Sequence, residues 1–312
     1  MPALITHHLF GEETLGRLPE GLVSGQEELI AYLLGNQGPD PFFARFSTTP
    51  KKMKAAHALA HRMHTERVSN AFISLREAVS HLVDEDKRVG RAFTLGLVAH
   101  YVLDRIAHPF VYAQQYALCD ALEDLHDAGS EVHAVIESDI DTWMLWQIRH
   151  ATVVECPPEL ELCCTERVGR VAGALFSHVA WQVYGLNVGA AEYAHAVANY
   201  ATLYRHVEPY GSAGYQCLTH IEHLFRHHSQ VGAMAHQVLL SDECASANLN
   251  HLPWTDPATG AISEKSFADL FHDATTSYES FARAYIYGGG NNIPELVNHI
   301  NYDGQIIDDR LM

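Results

Sequence analysis

A chain of 312 residues with 47% hydrophobic and 19% charged residues can bury one large core or two smaller ones, which excludes disorder over most of its length. Its formal net charge of -18 disfavours stable binding to nucleic-acid backbones or anionic membranes unless bound cations reverse the field locally. The 22 histidines outnumber the 20 lysines and arginines, and histidine is both the commonest metal ligand and the usual acid–base group near neutral pH.

The opening stretch MPALITHHLFGEETL carries His7 and His8 but neither the basic start nor the apolar core of a signal peptide. A cytoplasmic protein with reduced thiols is therefore expected. Its six cysteines form no C-x-x-C pair, so no structural zinc finger is indicated. Residues 35–50 read as irregular, with Asp40 held between Pro39 and Pro41 in GNQGPDPFF; a carboxylate there could reach a metal, but taken alone an Asx-type turn is the favoured reading of Asp40. Helical spacing of Leu59, Met63, Ala71, Phe72, Leu75 and Val79 predicts helix over 53–83, which also carries His57, His61 and His64. A nearly all-apolar helix is expected over 88–107, ended or kinked by Pro109.

Another helix should cover 130–150, with a break at Pro157–Pro158. Further helices are expected over 165–183, 190–204, 215–240 and 263–285. The triple glycine at 288–290 has neither a preceding strand nor a following Lys-Ser/Thr, and reads as a helix stop rather than a phosphate loop. Alternating strand patterns are scarce and no apolar run reaches transmembrane length. The expected fold is all-α, a multi-helix bundle in a single domain over 1–312: metal-site helices in 1–150, covering helices in 160–287 and a tail from 288 to 312.

The strongest chemical signal is HYVLDRIAH. His100, Asp104 and His108 stand four residues apart and form one stripe on a helix whose neighbours are apolar. A carboxylate buried there is costly unless paired or metal-bound, and a hydrogen-bonded polar seam is the bland alternative. In HAVIESDID, His133 and Glu137 repeat the spacing that lets two side chains grip one metal from one helix face.

Taken in order, Thr6-His7, Gly38-Pro39-Asp40, Met63-His64, His100-x3-Asp104-x3-His108-Pro109 and His133-x3-Glu137-x2-Ile140-Asp141 resemble the zinc-dependent phospholipase C family, related to the S1/P1-type nucleases. The resemblance spans roughly residues 1–145. It implies a mostly helical fold, two or three Zn2+ ions and hydrolysis of phosphodiester or phosphomonoester bonds by a metal-activated water. Carried over by motif, it implies that Asp40, His64, His100 and Asp104 hold one ion, His108, His133 and Glu137 a second, and His7 with Asp104 a third, with His8 as a possible substitute. Asp40 and Asp104 are then the catalytic carboxylates. The expected partner is a small phosphoester or phospholipid-like substrate, with substrate and oligomeric state left open.

Two other classes stand beside this reading. HD-type metal phosphohydrolases carry an adjacent His-Asp pair, which His126-Asp127 and His272-Asp273 both supply. A non-catalytic metal-binding protein would also use the histidine surplus, and would close the coordination shell that an enzyme leaves open. His220, His223, His227 and His228 fall on one predicted helix and could line a cleft; the remaining histidines, His236 among them, read as ordinary surface or hydrogen-bonded side chains.

Overall fold

A computed structural model describes residues 4–224, 226–288 and 292–307. The fold is all-α: α1 (Leu4–Leu15), α2 (Gln26–Gly35), α3 (Pro50–Thr65), α4 (Val68–His81), α5 (Asp84–Ala121), α6 (Gly129–Arg149), α7 (Glu166–Gln182), α8 (Glu192–Val207), α9 (Ala213–His223), α10 (Gln230–Ala233), α11 (Phe267–Tyr287) and α12 (Ile293–Val297). Among the described residues the strands are two short antiparallel ones, β1 (Trp254–Thr255) and β2 (Ile262–Ser263), with Trp254 opposite Ser263. Among the described residues no helix is long and apolar enough to cross a membrane, and all six cysteines are free.

Two compact units can be distinguished. The first comprises the residues up to Leu9 with Ala107–Glu161 and Ala201–His272. The second comprises Phe10–Ile106, Leu162–Tyr200 and the residues from Asp273 onward.

In the second unit, Phe42, Phe93, Phe176 and Tyr193 form an aromatic cluster of edge-to-face and tilted pairs with ring centroids 4.6–5.6 Å apart. Gly35 of α2 and Gly96 of α5 let the two helices meet backbone to backbone: a Cβ on Gly35 would strike Phe93 O, and one on Gly96 would strike Tyr32 O. This contact brings the end of α2, and the turn that carries Asp40, against α5. Arg45 and Lys52 share the buried Glu192 at 2.9 and 2.8 Å and hold the next segment.

In the first unit, α6 presents Ser138 to Ala235 O and Trp143 Nε1 to Asp242 O, both at 3.0 Å. Phe110 packs on Trp254 with centroids 5.3 Å apart.

Several boundaries differ from the sequence expectation. Pro109 lies inside α5 rather than at its end. Proline removes one backbone hydrogen bond at a cost of about 3 kcal/mol, but its neighbours Ala107, Phe110 and Val111 are buried, and that packing carries the helix through. The helix expected over 53–83 is two helices, broken at Arg67, whose φ is 54°. Neither glycine nor proline marks the break; Arg67 instead donates to Val183 O at 2.7 Å, and Tyr184 Oη donates to Glu66 O at 3.1 Å. The helix expected over 215–240 stops at His223 and restarts as α10, because Ser229 caps Gly232 N and Glu222 accepts from Val231 N. Of the stretch expected as a tail, 292–307 carries α12 and a bridge between Ile300 and Ile306; of the triple-glycine run, positions 289 and 290 lie outside the described residues.

Candidate metal centres

The second unit brings Asp40, His64 and His100 together, with their candidate ligand atoms all within 4.8 Å of one another. Asp40 arrives from a tight sequence of turns. Asn36 ends α2, Gly38 takes a left-handed φ of 54°, and Pro39 starts the short 3-10 turn Asp40–Ala44. His64 comes from the last turn of α3 and His100 from mid-α5. His64 Nε2 lies 3.1 Å from Asp40 Oδ1, and His100 Nε2 lies 3.7 Å from Asp40 Oδ2. Asp104, one turn beyond His100, places Oδ2 3.1 Å from His100 Nε2 and 3.9 Å from His64 Nε2.

Each of these rings is locked by its other nitrogen. His100 Nδ1 donates to Asn36 O at 3.0 Å and His64 Nδ1 donates to Ala60 O at 2.8 Å. A carbonyl can only accept, so Nδ1 carries a proton and Nε2 is the nitrogen left to face the carboxylates. A cation between Nε2 and the carboxylate oxygens would be held by both kinds of ligand. The same outer hydrogen bond is what orients and tunes a metal-bound imidazole. Asp40 adds a second sign: it is 1% exposed, and its Oδ2 is buried with no hydrogen-bond partner among the described residues. Burial alone would raise its pKa, but His100 and His64 outweigh burial and hold Asp40 below the usual carboxylate range. The residues fit a divalent ion with mixed nitrogen and oxygen ligands.

The first unit gathers His108, His133 and Glu137 by the same criterion. Glu137 Oε1 is 3.1 Å from His133 Nε2 and 3.4 Å from His108 Nε2. His133 Nδ1 donates to Gln115 Oε1 at 2.9 Å, the third ring locked in this manner. Tyr112 packs on both rings, with centroids 4.9 Å from His133 and 5.9 Å from His108. Burial opposes ionisation of Glu137, yet His133 and His108 hold it well below the ordinary carboxylate range.

His7 is buried on α1 in the first unit, whereas Asp104 belongs to the second. The third ion therefore stays with the sequence reading. His8 turns elsewhere: its Nε2 pairs with Glu161 at 2.8 Å. Both His-Asp pairs of the HD reading present exposed histidines, His126 and His272, and neither pair enters a ligand group among the described residues. His220, His223, His227 and His228 likewise enter no ligand group among the described residues; His223 Nδ1 instead donates to His227 O.

Several contributors escape sequence reasoning. Tyr302 is 1% exposed and its ring packs on His64 at 4.8 Å and on His100 at 5.7 Å between centroids, while its backbone N–H donates to His64 O. Nothing in INYDGQ distinguishes it from a tail residue. Asn36 and Gln115 hold rings through contacts to distant positions. Asp141, quoted in the motif without a role, accepts from Ile5 N, Thr6 N and Thr6 Oγ1 at 2.6–2.9 Å and so pins the start of α1.

Gly38 has a steric reason to be glycine. A Cβ there would stand 2.3 Å from His100 Cδ2 and 2.5 Å from its Nε2, and its positive φ adds roughly 1–2 kcal/mol of strain for any other residue. Gly38→Ala should push the His100 ring off its hydrogen bond to Asn36. A zinc titration is expected to show affinity at this cluster lowered about 10–100-fold, with the His108–His133–Glu137 cluster unaffected.

A family profile described as zinc dependent phospholipase C matches residues 6–163. No curated protein and no solved structure matches the chain. The profile takes in His7 and both ligand clusters and stops well short of Tyr302. With about half of its length under that profile, the chain belongs to the zinc-dependent phospholipase C family.

Proposed function

We propose that the protein hydrolyses phosphodiester bonds of the phospholipid type, with phosphomonoesters as secondary substrates, at two zinc ions. Asp40, His64, His100 and Asp104 would hold one, and His108, His133 and Glu137 the other. When bound, zinc supplies a Lewis acid for the phosphoryl oxygens and brings the pKa of a water toward about 7.

The chain's own groups have separable tasks. The Asn36, Ala60 and Gln115 acceptors fix the imidazoles of His100, His64 and His133 so that no reorientation is needed on binding. Asp40 stays ionised, and its Oδ2, free of hydrogen bonds among the described residues, can take a proton from an attacking water. Asp104 is the second catalytic carboxylate, placed one helical turn from His100. The buried ring of Tyr302, packed on His64 and His100, keeps bulk water from the carboxylates and strengthens their pull on a cation.

The single observation that carries this reading is three histidines tied at Nδ1 with Nε2 turned onto buried carboxylates. Metal analysis of the purified chain, with turnover of bis-nitrophenyl phosphate and of phosphatidylcholine vesicles before and after chelation, tests it. Two or more zinc per chain and chelator-sensitive cleavage of both are expected. Cleavage of the synthetic diester alone would remove the phospholipid assignment. A metal-free chain inactive on both, even with added zinc, would remove the hydrolase assignment.

A further inference from the structure

In a chain with 38 acidic residues against 20 lysines and arginines, most cationic side chains should find carboxylates. In the second unit, one cavity of about 520 Å³ gathers three of them: Arg76 from α4, and Lys87 and Arg91 from α5. Lys87 is neutralised by Asp84 at 2.7 Å. Arg76 and Arg91 form no ion pair with a carboxylate among the described residues; Arg76 Nη2 donates to Ile286 O at 3.3 Å, and its Nη1 is closed off from solvent without any hydrogen-bond partner. Two positive charges with no carboxylate partner among the described residues therefore face one space. The rest of the wall is largely apolar and aromatic, formed by Val79, Tyr285 and Ile286, with Thr94 as a further polar group.

We infer that this cavity binds a phosphomonoester dianion that carries an apolar body. Guanidinium groups grip phosphate oxygens in a planar fork and lie readily beside aromatic rings. A phosphomonoester brings about two negative charges at neutral pH, matching the two free cations. A phosphodiester, sulfonate or carboxylate brings one and leaves one of the two guanidinium groups without a counter-charge. The volume suits a small molecule, and the Tyr285 and Val79 wall favours an aromatic or alkyl substituent over inorganic phosphate.

The probe is 1-naphthyl phosphate, titrated calorimetrically into the zinc-loaded full chain, with 1-naphthalenesulfonate and inorganic phosphate as comparators. An Asp40→Asn chain is titrated in parallel, because a zinc site also attracts phosphate. Saturable binding of naphthyl phosphate is expected, at least ten-fold tighter than the sulfonate or inorganic phosphate and retained in Asp40→Asn. Arg91 is exposed, so its substitution should leave the fold intact. Arg91→Ala should weaken binding about ten-fold and Arg91→Glu should abolish it. Absence of binding, equal affinity for the sulfonate, indifference to both Arg91 substitutions, or loss of binding in Asp40→Asn would each overturn the assignment.

Discussion

His100→Ala is expected to remove one zinc per chain and lower phosphodiester turnover by about three orders of magnitude. His100 is fully buried and joins three groups at once: Asn36 O through Nδ1, and Asp104 and Asp40 through Nε2. Without the ring, the two carboxylates face each other with His64 alone between them. Charge stabilisation by a bound metal is worth several kcal/mol in the transition state, and each 1.36 kcal/mol is ten-fold in rate. The loss should appear in kcat, with a matching fall in zinc from two equivalents toward one. His223→Ala, on an exposed helix end, should leave both unchanged. If the two variants behave alike, the cluster of Asp40, His64 and His100 is not the reaction centre. Chelation of the parent chain should also lower its melting temperature, because zinc at about 100 times its dissociation constant stabilises the folded state by about 2.7 kcal/mol.

Both stripes were legible because helical periodicity is local. Residues four apart share a helix face whatever the tertiary context, so His100 with Asp104, and His133 with Glu137, could be paired from spacing alone. Which stripe member joins which cluster was not so encoded: spacing puts His108 in line with Asp104, while the fold sets it beside Glu137. The groups that lock the rings, Asn36, Ala60 and Gln115, are chosen by chain reversals and helix contacts. A close approach such as Gly35 to Gly96 leaves only two ordinary glycines in the sequence. Tyr302 lies far from its neighbours along the chain and outside the family profile. Helix breaks followed the same rule: Pro109 is a strong local signal overridden by burial around it, and Arg67 is a break made by long-range hydrogen bonds with no local signal.

His236 shows the same limit and sets up a measurable pH effect. It reads as an ordinary hydrogen-bonded histidine, yet it is 1% exposed between two carboxylates. Nδ1 donates to Glu208 Oε1 at 2.6 Å, and Nε2 donates to Asp141 Oδ2 at 3.1 Å. Both nitrogens must carry protons, so the ring is an imidazolium. Burial alone would lower its pKa, but Asp141 and Glu208 prevail and push it up to about 9. A histidine in the unfolded chain titrates near about 6.5, so the folded state holds this proton more tightly. Its contribution, about 3 kcal/mol, is fully present below pH ~6.5 and is lost as pH rises toward about 9. The melting temperature of the parent chain should therefore fall across that interval relative to His236→Gln, which has no such proton to lose. A difference between the two that stays constant from pH 6 to pH 9 would show that the ring is not charged in the fold. Asp141→Ala removes one counterion and also releases Ile5 N, Thr6 N and Thr6 Oγ1. Breaking a buried pair on one side costs about 3–5 kcal/mol, so a fall in melting temperature on the order of 10 °C is expected. Because Asp141 fixes the first turn of α1, this substitution should loosen His7 as well, whereas His236→Gln leaves that anchor in place. Amide exchange over residues 4–10 separates the two: faster in Asp141→Ala, unchanged in His236→Gln.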